Sequence, residues 1–285
     1  MMKKFLSAVL LSFSLATFGA EPIVVNLWEG TNPPTDNGLT PSDEVSKSPG
    51  HVSMVATPML YIYPAENPNG TALLFCPGGG YAGLAMEHEG SGIAELLNPE
   101  GITVGVLKYR MPNQHPEVPM EDVLQGMKIM KAKAGELGYD ASKIGIGGAS
   151  AGGHLASTAA THIKDESLKP AFQVLLYPVI SMDETITHGG SRKNLIGENP
   201  TAKLIEYYSN DLQVTPQTPS TFIVVSNDDT AVPVENSMRY VTALQKNGVP
   251  VSFHVYPVGG HGWGVRPSFR YYPQWTEELK AWLKN

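Results

Sequence analysis

The segment Ile144-Gly145-Ile146-Gly147-Gly148-Ala149-Ser150-Ala151-Gly152-Gly153-His154 constrains this chain more than any other. A short β-branched run leads into a serine between two glycines, and a helical pattern from Ala151 to about His162 follows at once. This is the Gly-x-Ser-x-Gly nucleophile elbow, in which a strand turns into a helix without an intervening loop. The corner strains the serine backbone, and side chains at Gly148 and Gly152 would collide within it. Ser150 is thereby presented at the C-terminal edge of a sheet. The N-terminus of the next helix aims free N–H groups and the positive end of its dipole at the same spot, which favours negative charge there.

Around this corner, strand-like and helix-like segments alternate. Residues 59–63, 71–76, 102–107, 144–147, 172–176, 221–225 and 251–256 are short runs rich in β-branched and aromatic residues and read as strands. Over residues 121–137, Val123, Met127, Met130, Ala134 and Leu137 share one helical face. Residues 234–246 end on the helix-stop pair Asn247-Gly248, and Trp275, Leu279 and Trp282 form an apolar stripe in a last helix. The alternation predicts a mostly parallel sheet with helices on both faces. With 285 residues and a 42% apolar fraction, residues 21–285 suffice for a single such domain. Residues 21–55, rich in Pro, Gly, Ser and Asn, read as an extended N-terminal arm on the surface. The long interval 178–220 breaks the rhythm and reads as a cap-like insertion over the C-terminal edge.

Residues 1–20 have the pattern of a secretory signal peptide: Lys3 and Lys4, an apolar stretch over 5–18, and small residues Ser14, Ala16, Gly19 and Ala20 for cleavage. The stretch is short for a membrane span, so the expectation is a secreted or periplasmic protein with no membrane insertion after signal removal. The sole cysteine, Cys76, excludes an intramolecular disulfide. A formal charge of −7 without any basic run argues against a nucleic-acid partner. Neither His-Glu-x-x-His nor Cys and His at ligand spacing occurs, so no metal and no other cofactor is expected.

A serine hydroxyl is a poor nucleophile at neutral pH and needs a base, with a carboxylate to orient that base. After an elbow the order is serine, acid, histidine. Asn227-Asp228-Asp229-Thr230-Ala231-Val232-Pro233 and Gly259-Gly260-His261-Gly262-Trp263-Gly264 each follow a predicted strand, and therefore lie at the edge that presents Ser150. His261 is the expected base. Asp229 is preferred over Asp228 because Val232-Pro233 opens the next helix in an Asp-x-x-Val-Pro pattern, which leaves Asp228 as a loop carboxylate. His154 is expected to pack inside its helix, while His88 and His188 are at most substrate contacts. Gly78-Gly79-Gly80, directly after the strand ending at Cys76, is not followed by the Gly-Lys-Ser/Thr of a phosphate loop. Its N–H groups instead suit an oxyanion, with Gly79 or Gly80 and Ala151 as the donors.

Together, Pro77-Gly78-Gly79-Gly80-Tyr81, Tyr109-Arg110-Met111-Pro112, residues 148–156, residues 191–197, residues 229–233 and Gly260-His261-Gly262 resemble the α/β-hydrolase esterases that include secreted bacterial acetylxylan esterases and acetylesterases. The resemblance runs from about Trp28 to the C-terminus. It implies an α/β-hydrolase fold, a mostly parallel sheet flanked by helices with a short cap-like insertion. It also implies hydrolysis of small acyl esters, often acetyl groups on plant-wall xylan, with Ser150, Asp229 and His261 as triad and Gly79, Gly80 and Ala151 at the oxyanion hole. Pro77 departs from the histidine that the hormone-sensitive-lipase-like group carries before its glycines. Tyr81, Arg192 and Trp263 are the candidate substrate-binding side chains. The expected partner is an acylated carbohydrate or other small ester. Feruloyl or aryl esters and peptides are the alternative substrates on the same fold, and a catalytically silent carbohydrate-binding protein is the alternative outside enzymes.

Overall fold

The computed structural model describes residues 21–284, so the signal-peptide expectation for residues 1–20 lies outside the described residues. In chain order the strands are β1 (Ile23–Asn26), β2 (Val45–Ser48), β3 (His51–Ser53), β4 (Met59–Tyr63), β5 (Ala72–Cys76), β6 (Gly83–Ala85), β7 (Thr103–Lys108), β8 (Ile144–Ala149), β9 (Phe172–Leu176), β10 (Ser220–Ser226) and β11 (Val251–Tyr256). The helices are α1 (Gly92–Leu97), α2 (Val118–Leu137), α3 (Ser150–His162), α4 (Gly189–Ile196), α5 (Ala202–Tyr208), α6 (Glu235–Lys246) and α7 (Tyr272–Leu283).

Eight strands form one sheet in the order β1-β4-β7-β5-β8-β9-β10-β11. From β7 to β11 the pairs are parallel, whereas β4 and β1 run antiparallel at the other edge. This is the α/β-hydrolase arrangement, a mostly parallel sheet flanked by helices. Every residue of β5 and of β8 is buried, as strands covered by helices on both faces require. Because β5, β8, β10 and β11 all point the same way, the segments after Cys76, Ala149, Ser226 and Tyr256 emerge at one edge. That edge holds the glycine run, Ser150, Asp229 and His261.

The N-terminal segment differs from the expected extended arm. It holds three strands: β1 closes the sheet edge by pairing Ile23 to Asn26 with Ile62 to Met59, and β2 and β3 build a small antiparallel sheet with β6. Strands of three or four residues with polar alternation leave little periodicity to read. Interval 178–220 contains α4 and α5 and a single turn at Asn210–Leu212. Its base is tied down by Asn236, whose side-chain oxygen accepts the N–H groups of Ile180 and Ser181 at 3.1 and 3.2 Å. α4 was hidden by Gly189-Gly190 in its first turn. The His188 ring supplies the missing cap by accepting the Ser191 N–H. Among the described residues no helix is long and apolar enough to cross a membrane.

A buried ion pair locks the arm to the sheet. Arg110 and Asp122 have side chains 2% and 0% exposed and meet at 2.8 Å. Around them, the Trp28 indole donates to Asp122 Oδ1 at 2.8 Å, and Arg110 donates to the Thr35 carbonyl at 2.6 Å. Removing one partner of such a pair leaves a buried charge uncompensated. Arg110→Ala should therefore lower unfolding free energy by about 3–5 kcal/mol. Urea titration at neutral pH checks this, and a loss below about 1 kcal/mol, the level of an exposed pair, would contradict it.

Candidate active site

Ser150 opens α3 at the end of β8 with φ +52°, a left-handed backbone that costs on the order of 1–3 kcal/mol for a non-glycine residue. The surroundings over-determine it. A Cβ on Gly148 would press into the Gly152 carbonyl and one on Gly152 into the Cys76 carbonyl, so both positions admit glycine alone. The Ser150 carbonyl is fixed by the Val179 N–H at 3.1 Å.

The structure brings the three expected residues into one chain of hydrogen bonds. His261 Nε2 stands 2.8 Å from Ser150 Oγ, and His261 Nδ1 stands 2.6 Å from Asp229 Oδ2. Asp229 only accepts in this arrangement, which assigns the ring proton to Nδ1 and leaves Nε2 to accept from the serine hydroxyl. The other carboxylate oxygen of Asp229 accepts the N–H groups of Ala231 and Val232, each at 2.9 Å, and its side chain is fully buried. Asp228 is exposed and accepts the Gly260 N–H at 2.8 Å, a bond that holds its carboxyl below the usual range. It shapes the histidine loop without touching the imidazole.

The glycine run lies against this group, with Gly78 close enough that a Cβ there would meet the Ser150 Cβ at 2.9 Å. The Gly78 N–H is committed to Glu89 Oε2 at 2.9 Å. Among the described residues the N–H groups of Gly79 and Gly80 have no partner, and the first-turn N–H of Ala151 has none within its helix. A Cβ at Gly79 would run into the Gly83 carbonyl.

Two residues that sequence reasoning missed connect these loops. Glu89, only 3% exposed, accepts from Gly78 and from the Tyr177 hydroxyl, the latter at 2.7 Å. The same hydroxyl accepts the Gly264 N–H at 2.6 Å, and the Tyr177 ring packs edge-on against His261 with centroids 4.8 Å apart. Burial, and then the neighbouring Glu89, pushes the Tyr177 hydroxyl well above its ordinary pKa and keeps it a donor. In sequence, Glu89 sits in the polar run Glu87-His88-Glu89 and reads as solvated. A single wide helical turn over Glu87–Ser91 carries it inward.

The side chains of the three candidate substrate-binding residues make hydrogen bonds within the protein. Tyr81 is 2% exposed and its hydroxyl bonds to His154 Nδ1 at 2.8 Å. Trp263 is 5% exposed, donates to Ser226 Oγ at 3.1 Å and stacks on Phe269. Arg192 Nε donates to the Met182 carbonyl at 3.0 Å and braces the insertion. Large amphipathic side chains flanking a glycine run suit a pocket wall and a loop anchor equally well, and here Trp263 serves as an anchor in the core. His88 contacts Arg266 at 3.2 Å, while its carbonyl accepts the Val265 N–H. His188 stands beside Gly80, its pKa lowered first by burial and then by His261.

The arrangement can draw a proton from Ser150 onto His261 and hold an anion in front of unpaired N–H groups. The profile of the alpha/beta hydrolase fold matches residues 73–265, and the chain belongs to that family. It is 39% identical over 224 residues to an acetylxylan esterase of Xylanibacter ruminicola, a match covering 77% of this chain and 46% of that protein. It is 34% identical over 204 residues to endo-1,4-beta-xylanase B of Butyrivibrio fibrisolvens, covering 67% of this chain and 32% of that protein. The chain thus spans less than half the length of these curated relatives. A crystal structure of the acetyl ester-xyloside bifunctional hydrolase from Caldicellulosiruptor lactoaceticus superposes with a TM-score of 0.80 at 33% identity, covering 94% of this chain and 98% of that one.

His154, fully buried behind Tyr81, donates from Nε2 to the Tyr208 carbonyl at 2.7 Å. Burial lowers its pKa from 6.5 to about 4. Below pH 6.5 the unfolded chain therefore takes up a proton that the folded chain refuses until about pH 4. Its share of stability, on the order of 3 kcal/mol, should be lost as pH falls through that window. Urea unfolding of wild type and His154→Gln at several pH values checks this. The variant should show a distinctly shallower acid decline, and equal slopes would contradict the assignment.

Proposed function

We propose that this chain is a carboxylic ester hydrolase that removes acetyl groups from xylan or its oligosaccharides through an acyl-enzyme on Ser150. The observation that carries the reading is the Asp229–His261–Ser150 relay, with Gly78 of the glycine run against Ser150. Ser150 Oγ attacks the ester carbonyl carbon while His261 Nε2 takes its proton. The carbonyl oxygen, now anionic, is held by the N–H of Ala151 and that of Gly79 or Gly80. The carbon–oxygen bond to the sugar breaks, and His261 protonates the departing sugar oxygen. Water then attacks the acetyl-serine with His261 again as base, releasing acetate and restoring Ser150. Buried Asp229 keeps the ring in the required tautomer and balances the imidazolium.

Xylan as substrate is supported by the named relatives, an acetylxylan esterase and a xylanase, and by the acetyl ester-xyloside hydrolase that matches over nearly the whole chain. Of the rings that could cradle a phenolic acyl group, Tyr81 and Trp263 are buried and half-buried Tyr271 is stacked on Tyr256, which counts against feruloyl or aryl esters. The complete relay counts against a silent binding protein. Export to the periplasm or medium is part of the proposal and rests on the basic, apolar and small-residue pattern of residues 1–20.

The test is acetate release from acetylxylan, measured for wild type and three variants. Ser150→Ala should lose activity by on the order of 10⁶-fold. Asp229→Asn should lose about 10⁴-fold through the wrong imidazole tautomer, and Asp228→Asn far less. No acetate from wild type, or an equal loss in both aspartate variants, would overturn the corresponding part of the reading.

A further inference from the structure

Among the described residues, six non-glycine residues hold φ between +35° and +72°: Met54, Tyr81, Asn113, Gln114, Ser150 and Tyr177. Such residues are uncommon, and strain of this kind gathers where function requires it. Ser150 and Tyr177 belong to the site already described. The other four all line a single cavity of about 440 Å³, between the N-terminal segment, the turn after the glycine run and the end of α4. That volume lies within the roughly 300–1,000 Å³ typical of small-molecule sites.

The cavity borders the loop that carries the glycine run. Its wall includes Tyr81 and Asn194, and the Asn194 amide donates to the Gly80 carbonyl at 2.8 Å. Gly78 lies against Ser150, and Gly80 is two Cα steps further, at most about 7.6 Å. Helix α4 straddles the two places, with its cap His188 beside Gly80 and its Lys193 and Asn194 in the cavity wall.

The chemistry of the lining selects the occupant. Asn113, Gln114 and Asn194 bring three amides, each a donor and an acceptor, as adjacent sugar hydroxyls require. Gln114 makes no hydrogen bond among the described residues and is exposed, as is Asn113, whose amide nitrogen reaches the Asn37 carbonyl. The charges of Lys193 and Glu198 cancel in a 2.6 Å pair, so the cavity has no preference for an ion. Leu39, Met54 and Met111 add apolar surface, and Met54 is 43% exposed despite its strained backbone. An acetyl group needs no space of this size or polarity.

We infer that this cavity is the subsite for the alcohol side of the ester, binding a neutral oligosaccharide whose acetylated residue lies at Ser150. The inference rests on the ester-hydrolase reading above. The turn Pro112–His115, closed by the His115 N–H to the Pro112 carbonyl at 2.9 Å, takes positive φ at Asn113 and Gln114 and places both residues in the cavity wall.

The test compares kcat/KM on acetylated xylotriose with kcat/KM on p-nitrophenyl acetate, which has no sugar. The ratio of the two is independent of how much of a variant is folded. Ala82 is exposed and lines the cavity, and Ala82→Trp fills it. The ratio should fall at least about tenfold in Ala82→Trp. In Gln114→Gly, which relieves the strain while deleting the amide, it should fall about fivefold. Wild type active on both substrates with ratios unchanged in both variants would overturn the subsite and leave the hydrolase reading standing. Wild type active on p-nitrophenyl acetate but inactive on the acetylated sugar would overturn carbohydrate as substrate, and the subsite with it.

Discussion

The left-handed backbone of Ser150 is the constraint on which the other parts of this structure depend. A strand can pass into a helix in one residue only if the corner is stripped of side chains, and Gly148 and Gly152 provide that by facing carbonyls that no Cβ would clear. The same corner starts α3 under the serine, so Ala151 offers an unpaired first-turn N–H beside the hydroxyl. It also demands a central parallel strand, because only there do neighbouring strands deliver partners to the same edge. β5 on one side brings the glycine run, and β10 and β11 on the other bring Asp229 and His261.

Parallel topology brings these loops to one edge, but it does not fix their spacing to the few tenths of an ångström that proton transfer needs. Buried polar contacts do that. Glu89 holds the glycine run through Gly78 and, through Tyr177, the loop that carries His261. Because Glu89 takes the Gly78 N–H, the free donors of the run are those of Gly79 and Gly80. Asp229 receives two backbone N–H bonds on the oxygen that does not face the imidazole, so its orientation is set before any substrate arrives. A preorganised site of this kind needs little rearrangement when charge develops.

Much of this was legible because it is local. The elbow, the order of Ser150, Asp229 and His261, and the choice of Asp229 over Asp228 follow from residues read beside their own strand ends. The parallel strands were readable as apolar runs for the same reason. What escaped is contact between segments distant in sequence. Tyr81 and Trp263 look like pocket aromatics, yet His154 and Ser226 bind them inside, at separations of 73 and 37 residues. Glu89 looks solvated and finds Tyr177 88 residues away. β1 is too short to show a period and exists because the β4 edge needs a partner.

If Ser150 is the nucleophile, its corner and the glycine run together form the anion site. A crystal structure of the protein after reaction with an alkyl phosphonate fluoride tests both at once. The expected structure has phosphorus bonded to Ser150 Oγ, fluoride displaced, and the phosphoryl oxygen about 2.7–3.1 Å from the Ala151 nitrogen and from that of Gly79 or Gly80. A covalent adduct on any other side chain, or an adduct on Ser150 whose oxygen faces away from these nitrogens, would contradict it.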